Sequence, residues 1–221
     1  MIVLASGETA TQGNSGLFLY GLVLFFLMFF LIRAAMSYSS YKRSIFPFIY
    51  NNYLMDYFWN LFIRQNVSRS GKLNKIIGEH RIVYSNILNR EGEIINRLMV
   101  IIHTKGIIVV SHLDPLGEVH GSDTGSWYVK RENNDTSKNY KIDNPVTHLR
   151  EYDHRIKSLT GERDTDKIIA IAAGSDISHV HCSIPVVHYE EICDLIKDSD
   201  CGYGLNPQEI DEIFEKLGGK K

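Results

Sequence analysis

The chain has 221 residues, 44% of them hydrophobic and 23% charged, with a formal net charge of −2. That is room for one domain of about 100 to 150 residues plus accessories, and it excludes a disordered or collagen-like chain. Three cysteines, Cys182, Cys193 and Cys201, with no CxxC pair among them, exclude a disulfide scaffold and a zinc ribbon and fit a reducing compartment.

In chain order, the first feature is "GLFLYGLVLFFLMFFLI", seventeen uncharged residues from 16 to 32. Arg33 can snorkel, and Ala34 to Met36 lengthen the run to about 20 residues, enough for a bilayer helix. A cleaved signal peptide would want a basic leader. Residues 1 to 15 carry only Glu8, and Arg33, Lys42 and Arg43 follow the run. This bias predicts an extracytoplasmic N-terminus over 1–15, one transmembrane helix over 16–36, and a cytoplasmic remainder at the inner or plasma membrane. A basic, aromatic juxtamembrane region over 37–75 then precedes a domain over 76–221. Within it, residues 45 to 65 are rich in Tyr, Trp and Phe but broken by Pro47, Asn51, Asn52 and Asp56. They suit either the lipid headgroup boundary or a helix of the domain core.

Charge is uneven. Residues 33 to 90 hold nine Lys or Arg against two acids, and residues 91 to 221 hold fifteen against twenty-three, so the first stretch is +7 and the second −8. Basic residues beside an apolar run serve topology and anionic lipid. The acidic remainder argues against a broad nucleic-acid surface, which needs a basic footprint.

The runs "RIVYSNIL" (81–88) and "IINRLMVII" (94–102) predict strands, and "HTKG" before "IIVV" predicts a hairpin turn at 103–106. A turn around Pro115 and Gly117 leads to a strand near Trp127, and "NNDTSKN" at 133–139 reads as a polar loop. Asn144 as cap, Pro145 in the first turn and Gly161 as terminator predict a helix. Val146, Leu149, Tyr152, Ile156 and Leu159 share its buried face. "KIIAIAA" (167–173) and "IPVVHY" (184–189) predict buried strands, and two helices close the chain, the second opened by the capping signature Asn206-Pro207-Gln208-Glu209. The order predicts an α/β domain around one mixed central sheet flanked by helices.

Five pieces of this sequence, in order, carry a resemblance: "TKGIIVV"; "GEVHGSD" with the Trp that follows; "NPVTHLREYDHRIKSL"; "KIIAIAA" with "VVHYEEICDLI"; and "LNPQEIDEIFEKL". Over residues 94 to about 217 the chain resembles the NERD family, the nuclease-related domain, whose members look like divergent PD-(D/E)XK nucleases. The resemblance implies an Asp entering one hairpin strand and a Glu-x-Lys on its partner. Two carboxylates would hold Mg²⁺, which polarises the phosphate and its bound water, while the lysine positions the hydroxide.

With Gly106 as anchor, the family's Asp falls at Leu98, its Glu at Ser111 and its Lys at Leu113. A family glutamine in the Asn-Pro helix falls at His148. Without metal carboxylates the domain is expected not to cut and to need no cofactor. It would then serve as a structural or docking component of a membrane-associated assembly, with lipid bilayer and other membrane-complex proteins as partners. The resemblance suggests a DNA-transfer or secretion apparatus as the setting. The alternative is a membrane-tethered, Mg²⁺-dependent nuclease with relocated acids at Asp114, Glu118 and Asp123, although Asp114-Pro115 and Gly117 read more simply as a turn. Histidine pairs such as His112 with His120, or His179 with His181 beside Cys182, are not set up as a metal site by local spacing.

Overall fold

The computed structural model describes residues 12–50, 68–131 and 139–219. The chain divides into two units, 1–41 and 42–221. The first unit holds most of helix α1 (Gln12–Arg43). Its side chains from Phe18 to Ile32 are exposed.

Among the described residues no helix is long and apolar enough to cross a membrane, which corrects the expected transmembrane, single-pass segment over 16–36. The uncharged run of seventeen residues reaches about 25 Å at 1.5 Å per residue, short of an about 30 Å hydrocarbon core. Extending it to residue 36 would draw the charge of Arg33 into that core. The expected N-terminal segment 1–15 falls mostly on residues outside those described, as does the polar loop at 133–139.

In the second unit, runs of β-branched residues favour extended backbone buried on both sides. They build a five-stranded sheet from β1 (His80–Leu88), β2 (Ile94–His103), β3 (Gly106–Leu113), β7 (Asp166–Ile171) and β9 (Val186–His188), paired in that order. The first three form an antiparallel meander; β7 joins β3, and β9 joins β7, in parallel. His103 pairs with Gly106, so Thr104 and Lys105 make the tight turn expected there. Gly106 has φ +136°, and a Cβ there would lie 2.5 Å from Cys201 Cβ, so no other residue fits.

Alternation along the strands sorts the core into two layers. Leu98, Val100, Ile107, Val109 and Ile169 face α4 (Pro145–Thr160) and α6 (Pro207–Lys216). Met99, Ile101, Ile108, Val110 and Ile168 face the opposite layer, with α2 (Phe46–Ile49), α3 (Gly71–Ile77) and α5 (Ile192–Asp198). Ile45, Ile49 and Tyr50 are buried in this second layer, so the start of the aromatic stretch belongs to the core, while residues 51–67 lie outside those described.

A second, four-stranded sheet replaces the expectation of a single central one. It runs β6 (Tyr140–Ile142), β5 (Trp127–Lys130), β4 (Glu118–Ser122) and β8 (Asp176–His181), with β4 and β8 parallel. The protein is therefore a mixed α/β chain with two mixed sheets flanked by helices. Trp127 anchors the second sheet to the first layer of the core. Its Nε1 donates to Ser122 O at 2.9 Å, and the ring lies so close to Gly121 that a Cβ there would sit 2.3 Å away. Asn144, the cap of α4, accepts from Val146 N at 2.9 Å and donates to Gly125 O at 3.1 Å, tying the helix to the β4–β5 turn.

Candidate functional site

Leu98 and Ser111 are register partners on β2 and β3, and both are fully buried. Leu113, two residues beyond Ser111, packs against the same core layer. Asn96, two residues before Leu98, points the same way and is also buried. The four positions form one patch under the first turn of α4, which contributes His148.

Polar groups in this patch satisfy one another. Ser111 Oγ donates to Asn96 Oδ1 at 3.0 Å, which also accepts from Arg97 N at 2.8 Å. Asn96 Nδ2 lies 3.1 Å from His148 Nδ1, leaving that nitrogen as the acceptor. The patch thus contains a closed amide, hydroxyl and imidazole chain between two leucines. None of these groups carries the negative charge that a Mg²⁺ ion needs from its ligands.

On the opposite face of the same strands lies a cleft of about 230 Å³ lined by Tyr84, Asn86, Arg97, His112, Asp114 and Tyr189, among others. Burial, reinforced by Arg97, pushes the His112 imidazole down to about 4. Asp114 stands exposed at the rim, its carboxyl raised by partial desolvation against the pull of Arg43 and Arg97. Tyr189 Oη donates to Leu113 O at 2.5 Å and closes the cleft floor.

The other two candidate acids are elsewhere. Asp123 accepts from Ser183 Oγ at 2.7 Å, from Ser183 N at 3.1 Å and from Arg150 Nη2 at 3.1 Å. The Ser183 hydrogen bonds are the main reason its carboxyl lies below the usual range. It is a cross-link between the β4–β5 turn and the segment after β8. Glu118, on β4, is bound through Oε2 to Lys130 Nζ at 3.2 Å, the leading cause of its lowered carboxyl range. Asp114, Glu118 and Asp123 therefore belong to three separate settings.

One grouping was not anticipated. Among the described residues, the His, Cys, Asp and Glu side chains that converge closely enough to hold a metal are Glu118, His120 and His179. His120 pairs with His179 across β4 and β8, so the histidine partner sought for His179 is His120 rather than His181. His112 lies on β3 of the five-stranded sheet, apart from His120. Cys182 donates its thiol to Ile184 O at 3.2 Å and takes no part in the group.

Asn96 was missed because, with Arg97, it reads as a polar interruption of an apolar run. The period of two, counted back from Leu98, is the signal that places it. His179 could not be found in this way, because its position depends on a strand pairing between distant parts of the chain. No family model, curated protein or solved structure matches this chain.

Proposed function

We propose that residues 42–221 form a non-catalytic, nuclease-related domain that serves as a structural or docking component of a larger protein assembly. A DNA-transfer or secretion apparatus is the setting that the NERD resemblance suggests. The observation that carries the reading is the buried Leu98–Ser111 pair, standing where the resemblance calls for the two metal-holding carboxylates. Apolar side chains there exclude the water and the phosphate that a metal would act on. The neighbouring polar groups are already paired with one another.

Two further features fit docking better than cleavage. Residues 91–221 carry a charge of −8, unfavourable for a broad phosphate-binding surface. The exposed apolar residues of α1 from Phe18 to Ile32 are a surface that isolated proteins seldom present to water. The relocated-acid nuclease loses its support with the dispersal of Asp114, Glu118 and Asp123.

The test uses the full-length chain purified in mild detergent. With a labelled duplex in Mg²⁺ or Mn²⁺, no cleavage is expected, and mass spectrometry of the material that copurifies should return a stoichiometric complex. Metal-dependent cleavage that disappears in Asp114→Ala would overturn the proposal.

A further inference from the structure

The four-stranded sheet places three aromatic rings in one row. Tyr128, His120 and His179 are direct register partners on β5, β4 and β8. Neighbouring strands lie about 4.8 Å apart, and the rings stack at that spacing. His120 is 4.6 Å from Tyr128 at 7° and 4.7 Å from His179 at 10°. Glu118, two residues before His120, projects from the same face of β4 and reaches both imidazoles. Its Oε1 is 2.8 Å from His120 Nε2 and 3.0 Å from His179 Nε2.

This meeting depends on an irregularity. Glu118 pairs with Asp176, but His120 pairs with His179, so β8 takes three steps where β4 takes two. In regular pairing His120 would face Ser178, and alternation would turn His179 to the other side of the sheet. The bulge re-aims His179 onto the Glu118 face, as bulges do beside sites. His120 Nε2 is sealed from solvent, with Glu118 Oε1 as its polar neighbour.

We propose that Glu118, His120 and His179 form a binding site for a borderline divalent metal ion of the zinc class. Two imidazole nitrogens and one carboxylate oxygen are the donor set that Zn²⁺ takes when a fourth position stays open to water. The three donor atoms lie within 4.8 Å of one another. Tetrahedral bonds of 2.0–2.1 Å place donors about 3.3 Å apart. Entry of the ion therefore moves each nitrogen a few tenths of an ångström away from the carboxylate oxygen, and a turn of the His179 ring brings its nitrogen toward that of His120. The His179 side chain is 52% exposed and can make that adjustment; His120, 22% exposed and stacked on both sides, is the fixed ligand. Lys130 on Oε2 holds the carboxylate from behind. Asp176, in register with Glu118, adds negative charge near both imidazoles. This inference stands on the second sheet alone and is independent of the docking role.

The experiment titrates Zn²⁺, against a chromophoric chelator, into the full-length chain purified without a polyhistidine tag, with Co²⁺ absorption as a second readout. One equivalent is expected, with the intense visible bands of four-coordinate Co²⁺. Affinity should fall at least about 10-fold in His179→Ala and in Glu118→Gln and stay unchanged in His181→Ala, a nearby exposed histidine. His179 is exposed, so its variant should keep the wild-type melting curve. Absence of stoichiometric binding, or binding that survives in both His179→Ala and His120→Ala, would overturn the site.

Discussion

The two sheets of residues 42–221 treat polar side chains in opposite ways. In the five-stranded sheet, the patch at Leu98 and Ser111 is buried and its hydrogen bonds close on themselves. In the four-stranded sheet, Glu118, His120 and His179 converge at a partly exposed surface. The first arrangement serves packing, and the second is open to a ligand. Position along a strand therefore says less about chemistry than the burial and pairing of the side chains that stand there.

The largest effect expected is from placing an acid in the first sheet. Leu98→Asp buries a carboxylate with no partner and should cost about 4 kcal/mol or more in denaturant unfolding. A stable variant that gained metal-dependent cleavage would break the contrast between the sheets. Next comes acid. Burial holds His103 and His112, both on the larger sheet, down to about 4. Below pH 6.5 the unfolded chain takes up protons that the folded chain refuses. Stability should thus be full above about pH 6.5, fall toward pH 4 by on the order of 2 kcal/mol for each histidine, and stop falling from this cause below that. Unfolding free energies measured across the window should show a shallower slope in His112→Gln.

Asn96→Ala sharpens the comparison on a smaller scale. It strands the buried Ser111 hydroxyl and removes the partner of the half-buried His148 Nδ1, at a cost of about 2 kcal/mol. Lys130→Ala removes an ion pair of similar length from the second sheet, where water can replace it. The loss there should be under about 1 kcal/mol. Equal losses in the two melting experiments would mean that the burial contrast does not govern stability.

The main sheet could be read from the sequence because its strands are local and apolar. β1, β2, β3 and β7 are β-branched runs, and α4 and α6 announce themselves through Asn144-Pro145 and Asn206-Pro207. In α6 the capping box is complete, with Asn206 Oδ1 accepting from Glu209 N and Glu209 Oε2 accepting from Asn206 N, both at 2.9 Å. The second sheet stayed hidden for the converse reason. "EVHGS" and "DISHVH" mix polar and apolar residues in short strands, and neither outweighs the turn signals around it. The apolar run at 16–32 was conspicuous, yet its length and the position of Arg33 do not make a spanning helix. Of the site residues, Leu98, Ser111 and Leu113 were placed by strand alternation, whereas the His120–His179 meeting follows from a bulge, which no local pattern encodes.

The chain passes from β3 into β4 and, much later, from β7 into β8, so each sheet receives parallel strands from the same late segment. Hairpins among β1, β2 and β3 can close early, because their loops are short. The β4–β8 ladder closes a loop of more than fifty residues, a non-local contact with a larger cost in chain entropy than the hairpins. His179 thus meets His120 only through a non-local pairing, so the stacked imidazoles report that the two ends of this long loop have come together.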